Sequence, residues 1–514
     1  MDPTGKSVSI PPPTPQAGLL GRLAHFFLLS FGYVALRFLL NPLRSRLLTE
    51  QFSKDLYGSL TLLTTTTTFL ASLLALGSFE FLTRRLPGLS LPRQKGWFSL
   101  VVWRIGFPAW LVLALLGAIA KLLGFFAALS WPVLCVIWFA QGLTLFILYR
   151  AAFALGSGRI PSLRLIQLFQ NDLWFVGLLL GGAWAAASFE HSLWIWTAWL
   201  SVLVVAILVI GRRPAAPESP AAHGESLSTA LRFGLPLVPM LCGEFLARQG
   251  DKLILLAHFP LSSSTAYTDY AFAYNIANIA YLIGASLLDL SIPHLYAATN
   301  ARPSPSLPPD EAQRNLFSMM LRHVLSVGAI LVLCLALLKD DVFAIIAAPE
   351  YRDIARFLPW TAPIALVNIL HYTMSRALIA QNRTRIVGYA ALGASILNIL
   401  LNLVLVPLLA DSAPNAIRAV AIANSSTFFL LAILYAVLLR IHRWISLPML
   451  APHRFLLAIA LSTSAYLLIP RLLSKPTLAF VLLRLASAGL ATLLVLFLTR
   501  TFSLRDMAFL RPRK

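Results

Sequence analysis

Long apolar segments recur along almost the whole of this 514-residue chain. A helix needs about 20 mostly apolar residues to cross the hydrocarbon core of a bilayer, and the chain contains about fourteen segments of that kind. Only 12% of the residues are charged, about half the fraction usual in a soluble globular domain. The sequence therefore predicts an all-α, polytopic membrane protein with about 14 transmembrane helices. The predicted spans are 22–43, 56–79, 98–120, 123–149, 163–187, 190–210, 230–258, 267–296, 315–338, 354–380, 386–409, 416–439, 453–470 and 477–499.

The charge balance is strongly basic, with 41 Lys and Arg against 20 Asp and Glu and a net charge of +21. Nucleic-acid binding is one meaning of such an excess. Here, however, the basic residues cluster in the short loops between apolar segments. About two thirds of them fall on the cytoplasmic side when the N-terminus is placed in the cytoplasm. The positive-inside rule therefore predicts a multi-pass protein with both termini in the cytoplasm. We expect its basic residues to contact membrane lipids and not to bind nucleic acid.

Two linkers rich in Pro, Ala and Ser divide the chain, and neither is long enough to form a soluble domain. The first, RRPAAPESPAAHGESLS, follows the sixth span, and the second, AATNARPSPSLPPDEAQR, follows the eighth. We predict a disordered cytoplasmic N-terminus, six helices, a cytoplasmic linker, six further helices, and a last helix pair with a basic cytoplasmic tail. These five regions are 1–21, 22–211, 212–229, 230–440 and 441–514.

The chain has three cysteines, Cys135, Cys242 and Cys334, each inside an apolar segment. They lie far apart in the sequence and lack the spacing of metal ligands or of a disulfide framework. We interpret them as small apolar residues of the interior. The sequence predicts neither a metal site nor a cofactor.

The stretch from Leu241 to Tyr274 is unusual because it carries charges between two long apolar runs. In a helix, Glu244, Arg248 and Asp251 are spaced at i, i+4 and i+7, which places them on one face. A charged side chain inside a bilayer is costly and commonly marks a functional site. This stretch is therefore the first place to look for the chemistry of the protein.

Several stretches, taken in chain order, resemble the polysaccharide (lipid-linked oligosaccharide) flippases of the multidrug/oligosaccharidyl-lipid/polysaccharide exporter (MOP) superfamily. The resemblance is distributed over most of the chain. The stretches that carry it are TEQFSKDLYG ending at Gly58, LGSFEFLTRRLPG at 76–88, FGLPLVPMLCGEFLARQGDKLILL at 233–256, ALIAQNRTRI at 377–386 and LNILLNLVLVPLL at 397–409.

The resemblance implies two pseudo-symmetric helical lobes that face each other across a central cavity and work by alternating access. It also implies a substrate, an oligosaccharide carried on a polyprenyl pyrophosphate lipid. The location implied is the bacterial cytoplasmic (inner) membrane. The two sets of six helices would then be the two lobes.

Moving such a lipid requires cations aimed at its phosphates, and the forked guanidinium of Arg suits that task. On the spanning segments near the face between the lobes, the candidate substrate-binding cations are Arg37, Arg248 and Lys252. An alternative interpretation stays open. Arg248 can pair with Glu244 or Asp251 instead, and the Lys252 side chain can extend to the outer surface.

Carboxylates on the spanning segments are candidates for coupling transport to an ion, since a carboxylate binds H⁺ or Na⁺. These are Glu244, Asp251, Asp172 and Asp289. The alternative role for each is that of a partner for a nearby Arg or of a polar helix cap.

Two other functions fit a polytopic membrane protein. A drug/cation antiporter of the same superfamily would need a carboxylate placed for cation coupling, but the first predicted helix has no Asp or Glu between Leu19 and Leu48. A membrane polysaccharide polymerase or ligase would be expected to place catalytic groups in a large outer loop, and the longest one, around 339–356, is short and lacks His. We therefore favour a flippase that catalyses no covalent chemistry.

Overall fold

The computed structural model describes the chain at scattered positions between residues 33 and 52 and then over eight continuous ranges. The described backbone is helical or in turns and loops, with no β-strand among these residues. The predicted N-terminal segment, most of the predicted linker 212–229 and the basic C-terminal tail lie outside the described residues. The eight ranges are 54–125, 129–210, 226–259, 265–301, 308–409, 411–445, 452–472 and 478–498.

We number the helices of these ranges α1 to α17 in chain order. They are α1 Lys54–Leu74, α2 Ser78–Arg85, α3 Leu91–Leu122, α4 Trp131–Gly156, α5 Ile160–Gln167, α6 Trp174–Ala187, α7 Phe189–Ile210, α8 Leu227–Gly234, α9 Val238–His258, α10 Ala266–Asn300, α11 Glu311–Leu337, α12 Lys339–Ile346, α13 Leu358–Ala380, α14 Thr384–Leu409, α15 Ala413–Ile441, α16 Pro452–Leu472 and α17 Leu478–Leu498.

The predicted spans from the second to the fourteenth each coincide with one or more of these helices. The first, 22–43, lies largely outside the described residues. In the described part of the chain, the helices α3, α4, α7, α10, α11, α14 and α15 are long and apolar enough to cross a membrane by themselves. The bent pair α1 and α2 makes an eighth span when counted as one. Large apolar side chains of α3, such as Leu111 and Leu115, are exposed on the outside of the bundle, as expected of a surface that faces lipid.

The helices pack as two groups. In the first, the N-lobe, α4 packs against α1, α2 and α7, and α6 packs against α7. In the second, the C-lobe, α9 packs against α14, α10 against α13, and α15 against both α13 and α14. Each group has its own clusters of buried apolar side chains. The last pair, α16 and α17, packs on itself and against α11 and α12 of the C-lobe.

A sharp bend separates α1 from α2, where the sequence predicted a single helix as far as residue 79. The two helices meet at 66°, because Leu76 and Gly77 both take left-handed backbone conformations, with φ of 49° and 72°. A left-handed backbone conformation ends a helix, and its free-energy cost is higher for a residue with a Cβ atom than for glycine. The bend turns the polar helix α2 across the end of the bundle, toward the C-lobe.

The packing of α14 against the turn before α9 depends on the absence of a side chain at Gly388. A Cβ built there lies 2.0 Å from the carbonyl oxygen of Pro236, whereas a Cβ at Gly393, on the same helix, meets no atom within 4 Å. We expect Gly388→Ala to destabilise the protein by about 1–3 kcal/mol through overpacking, and the matched control Gly393→Ala to be neutral or slightly stabilising. Thermal unfolding in detergent, followed by intrinsic fluorescence, measures both; equal melting temperatures would contradict this packing.

Candidate functional site

The two lobes meet along a seam in which α1 of the N-lobe runs beside α9 and α10 of the C-lobe. Near its middle, the rings of Phe69 and Phe245 stack with their centroids 3.7 Å apart. At the start of α1, a Cβ on Gly58 would lie 3.5 Å from the ring of Tyr267 and 3.6 Å from the Thr268 hydroxyl. The seam is therefore closely packed at its middle and at the end where α1 begins.

The other end of the seam closes by direct contact between backbones. A Cβ on Gly77 would lie 2.3 Å from the carbonyl oxygen of Gly234, and a Cβ on Gly234 would lie 2.3 Å from that of Leu76. The α1–α2 turn of the N-lobe and the segment that leads into α9 can approach this closely only because both positions are glycine.

Buried ionic contacts join the lobes at the same end. Arg376 of α13 forms an ion pair with Glu80 of α2, and the two side chains are 4% and 17% exposed. The Arg376 guanidinium also lies over the ring of Tyr372, 4.0 Å from its centroid. Arg84 of α2 donates from Nη2 to the carbonyl oxygen of Ala380, at 3.0 Å. Each lobe therefore places a guanidinium against the other.

A second cross-lobe ion pair lies beside the first. Arg164 of α5 donates from Nη1 to Oδ2 of Asp289 on α10 at 3.1 Å, and from Nη2 to the carbonyl oxygen of Ser286 at 2.7 Å. Within its own lobe, Arg164 donates to Oε1 of Gln167 at 2.7 Å and lies 4.9 Å from the ring centroid of Tyr33. The side chains of the Arg164–Asp289 pair are 4% and 10% exposed.

We call Glu80, Arg84, Arg164, Asp289 and Arg376 the gate cluster. It holds three guanidinium groups and two carboxylates, nearly removed from water, with the members of each ion pair on different lobes. Asn300 adds an uncharged cross-lobe link by donating to the carbonyl oxygen of Arg84 at 3.0 Å. Separating the lobes at this end would break all of these contacts.

A second polar cluster lies inside the C-lobe around Asp251 of α9, which is fully buried. Its Oδ2 accepts hydrogen bonds from the Tyr270 hydroxyl at 2.5 Å and from Nδ2 of Asn424 at 2.9 Å. Its Oδ1 accepts from the backbone N–H of Lys252 at 2.7 Å. Three helices, α9, α10 and α15, therefore converge on one carboxylate.

Two side-chain amide oxygens without hydrogen-bond partners lie on helices of this part of the C-lobe. In the described part of the chain, Asn424 Oδ1 and Asn402 Oδ1 are buried and have no hydrogen-bond partner. Asn402 lies on α14, whose buried stripe also carries Asn398, and α14 packs against both α9 and α15. Carboxylate and amide oxygens are the ligands preferred by hard cations. The same described residues contain no group of three or more His, Cys, Asp or Glu suited to a metal ion.

The residues predicted from the sequence fall in different places. Lys252 is buried; its ammonium lies 4.8 Å from the ring centroid of Tyr274 and 3.5 Å from Gln249 Oε1, contacts that are all within the C-lobe. Asp251 and Asp289 occupy the two clusters above. Arg37 lies outside the described residues. Glu244 and Arg248 lie on α9, and Asp172 ends a π-helical turn after α5, but their side chains are outside what the structure describes.

Sequence reasoning missed most of the gate. Glu80, Arg84, Arg164 and Arg376 look like ordinary residues at the polar ends of spans, where the positive-inside rule alone accounts for arginines. Glu80 and Arg376 are 296 positions apart, so no local pattern joins them. A faint signal was present, because Glu80 is the only acid between Leu56 and Asp172. An isolated acid in a basic region suggests a long-range partner.

We expect Glu80→Gln to open the gate by leaving Arg376 buried without its anion, a change that costs about 3–5 kcal/mol in buried pairs. The readout is the rate at which maleimide labels Ser286→Cys, in a chain whose native cysteines are replaced by serine. Labelling should accelerate at least about tenfold. The control is Glu50→Gln, which removes an exposed ion pair with Arg46 and should change nothing. A Glu80→Gln rate equal to the parent's would show that the pair does not hold the gate.

No protein-family model matches the sequence, and comparison with characterised protein sequences gives no significant match. Solved structures do share its fold. A MATE transporter in the straight conformation aligns with a TM-score of 0.59 at 11% identity, over 82% of this chain and 96% of its own. The lipid II flippase MurJ, in an inward closed conformation, aligns with a TM-score of 0.58 at 12% identity, over 93% of this chain and 99% of its own.

A third similar structure is a MOP superfamily transporter from Pyrococcus furiosus, described as having a binding pocket of reversed polarity. It aligns with a TM-score of 0.56 at 13% identity, over 82% of this chain and 94% of its own. These structures are transporters and a flippase. They confirm the fold class expected from the sequence, an all-α polytopic membrane protein built as two lobes. The chain has the fold of the MOP superfamily transporters.

Proposed function

We propose that this protein flips an oligosaccharide, carried on a polyprenyl pyrophosphate lipid, across the bacterial cytoplasmic membrane by alternating access. The observation that carries the proposal is the gate cluster, which joins the two lobes of a transporter fold. The cluster contains three cationic groups and two anionic groups. The protein supplies binding and motion in this proposal and catalyses no covalent reaction.

The gate supports alternating access because its contacts can be broken as a set. Its ion pairs and hydrogen bonds cross between lobes whose apolar clusters meet at few residues, such as Phe233. The lobes also pack along the seam, and packed interfaces between rigid bodies favour two discrete arrangements over a continuous range. Arg84, Arg164 and Arg376 lie at the end that the positive-inside rule assigns to the cytoplasm. The described state is thus proposed to be closed toward the cytoplasm.

The charge between the lobes supports an anionic substrate. Three gate arginines face two carboxylates, and Arg37, Arg248 and Lys252 stay predicted contacts for the pyrophosphate. The MurJ neighbour is a lipid II flippase, and its alignment extends over 93% of this chain, against 82% for the MATE transporter. Both observations favour a lipid-linked substrate over the drug or cation substrate of an antiporter.

The Asp251 cluster supports coupling to an ion. The Asp251 side chain is fully buried and lies on α9, one of the helices that form the seam. Asn424 donates to this carboxylate from Nδ2, and the Oδ1 atom of the same Asn424 side chain is buried without a hydrogen-bond partner. We propose that H⁺ or Na⁺ binds Asp251 in one access state. Glu244 and Asp172 stay predicted participants, whereas the cross-lobe contact of Asp289 with Arg164 favours a gate role for Asp289.

The proposed function is tested with the purified protein in vesicles that contain a fluorescent, short-glycan polyprenyl pyrophosphate lipid. Reduction of the fluorophore by dithionite reports the fraction of lipid in the outer leaflet. We expect the protein to equilibrate this lipid between the leaflets faster than empty vesicles do, with no change in glycan length. Transport of ethidium in exchange for protons, without lipid movement, would instead identify an antiporter. A longer glycan would identify a polymerase.

Ion coupling is tested in the same vesicles with Asp251→Asn. The amide keeps the shape of the carboxylate but loses the charge that binds a cation, so transport should no longer respond to an imposed Na⁺ or pH gradient. The matched control is Asp411→Asn, which changes an exposed acid between α14 and α15 and should keep the parent's response. A gradient response that persists in Asp251→Asn would assign coupling to another group.

A further inference from the structure

Each carboxylate of the gate cluster has a second cation available on its own lobe. Glu80 and Arg84 are four positions apart on α2, which places them on the same helical face. Asp289 lies on α10, which packs against α13, and α13 carries Arg376. Both carboxylates can therefore exchange a partner on the opposite lobe for one on their own lobe.

If both carboxylates exchange partners in this way, one of the three arginines is left without a carboxylate. When the lobes separate, Glu80 can pair with Arg84 and Asp289 with Arg376. Arg164 then loses Asp289 and the Ser286 carbonyl, its two cross-lobe acceptors. Its described contacts within the N-lobe are the amide oxygen of Gln167 and the ring of Tyr33, both uncharged. Opening the gate thus uncovers a guanidinium that is held in position but has lost its anion.

We propose that Arg164 is an anion-capture residue, which binds the diphosphate group of the substrate when the gate opens. This inference rests on the proposed function, since it takes the polyprenyl diphosphate as the anion. In the closed state, the two Nη atoms each serve a cross-lobe oxygen acceptor, and Nε has no hydrogen-bond partner in the structure. A guanidinium fork of this kind matches two phosphate oxygens equally well.

The Asp289 carboxylate and the diphosphate of the substrate then compete for the same guanidinium group of Arg164. The Asp289 carboxylate occupies the guanidinium when the gate is closed, and a diphosphate occupies it when the gate is open. A ligand that binds only the open arrangement shifts the protein toward that arrangement. The substrate therefore holds its own gate open until it moves on, and Asp289 closes the gate after it.

Because of this competition, two variants of the gate should change the affinity for diphosphate in opposite directions. Arg164→Gln and Asp289→Asn both break the same ion pair, so a purely structural role would change them alike. If Arg164 captures the anion, removing it weakens diphosphate binding. Removing its competitor Asp289 strengthens binding, because Arg164 then has no carboxylate partner in either arrangement.

The test measures binding of inorganic pyrophosphate to the full-length protein in lipid nanodiscs at low salt, by isothermal titration calorimetry. We expect the dissociation constant to rise about tenfold in Arg164→Gln, as for the loss of one charged hydrogen-bonding group. It should fall in Asp289→Asn and rise less in Arg164→Lys. The matched control is Arg385→Gln, an exposed arginine at the start of α14, which should bind as the parent does.

Equal shifts in Arg164→Gln and Asp289→Asn, or no shift in Arg164→Gln, would overturn the proposal. Its failure can be told apart from failure of the proposed function. If the parent flips the lipid but the two variants do not diverge, only the capture role of Arg164 is wrong. If the parent does not flip the lipid but the two variants diverge as expected, the anion site stands and the proposed transport is wrong.

Discussion

The architecture depends on burying charge between two separate lobes. An arginine and a carboxylate in a buried pair each lose their hydration, and their attraction repays that loss only when both are in place. At this gate the members of each pair belong to different lobes. The backbone contact at Gly77 and Gly234 brings the lobes close enough for the pairs to form. Closure is thus cooperative, since each contact helps to hold the others in place.

One helix connects the two polar clusters. Near its first turn, α10 carries Tyr270, which donates to Asp251, and further along the same helix it carries Ser286, Asp289 and Asn300 at the gate. Tyr270 and Asp289 are about 28 Å apart at the rise of an α-helix. Under the proposed function, a cation that binds Asp251 changes the hydrogen bonds at one end of α10, and the gate contacts change at the other end. This is a physical route for coupling an ion to access, through a single packed element.

The sequence predicted the parts of the fold that depend on local composition. Apolar length alone predicted the segments from the second span to the fourteenth, each of which coincides with one or more helices, although α12 formed in a predicted loop. A charge in an apolar helix pointed to Asp251. The bend between α1 and α2 was missed, because hydropathy does not report the left-handed backbone at Leu76 and Gly77. The gate was missed because its pairs join residues far apart in sequence. An arginine such as Arg376 looks the same whether it marks topology or is buried between lobes.

The most direct test of the central claim is a distance measurement across the gate by double electron–electron resonance. Spin labels at Ser90, which follows α2, and Arg385, at the start of α14, are both exposed and report how far the lobes separate at this end. The account predicts a short distance in the closed state and a second, longer distance whose population grows when polyprenyl pyrophosphate-linked oligosaccharide is added. A single distance that stays the same with and without the lipid would contradict it.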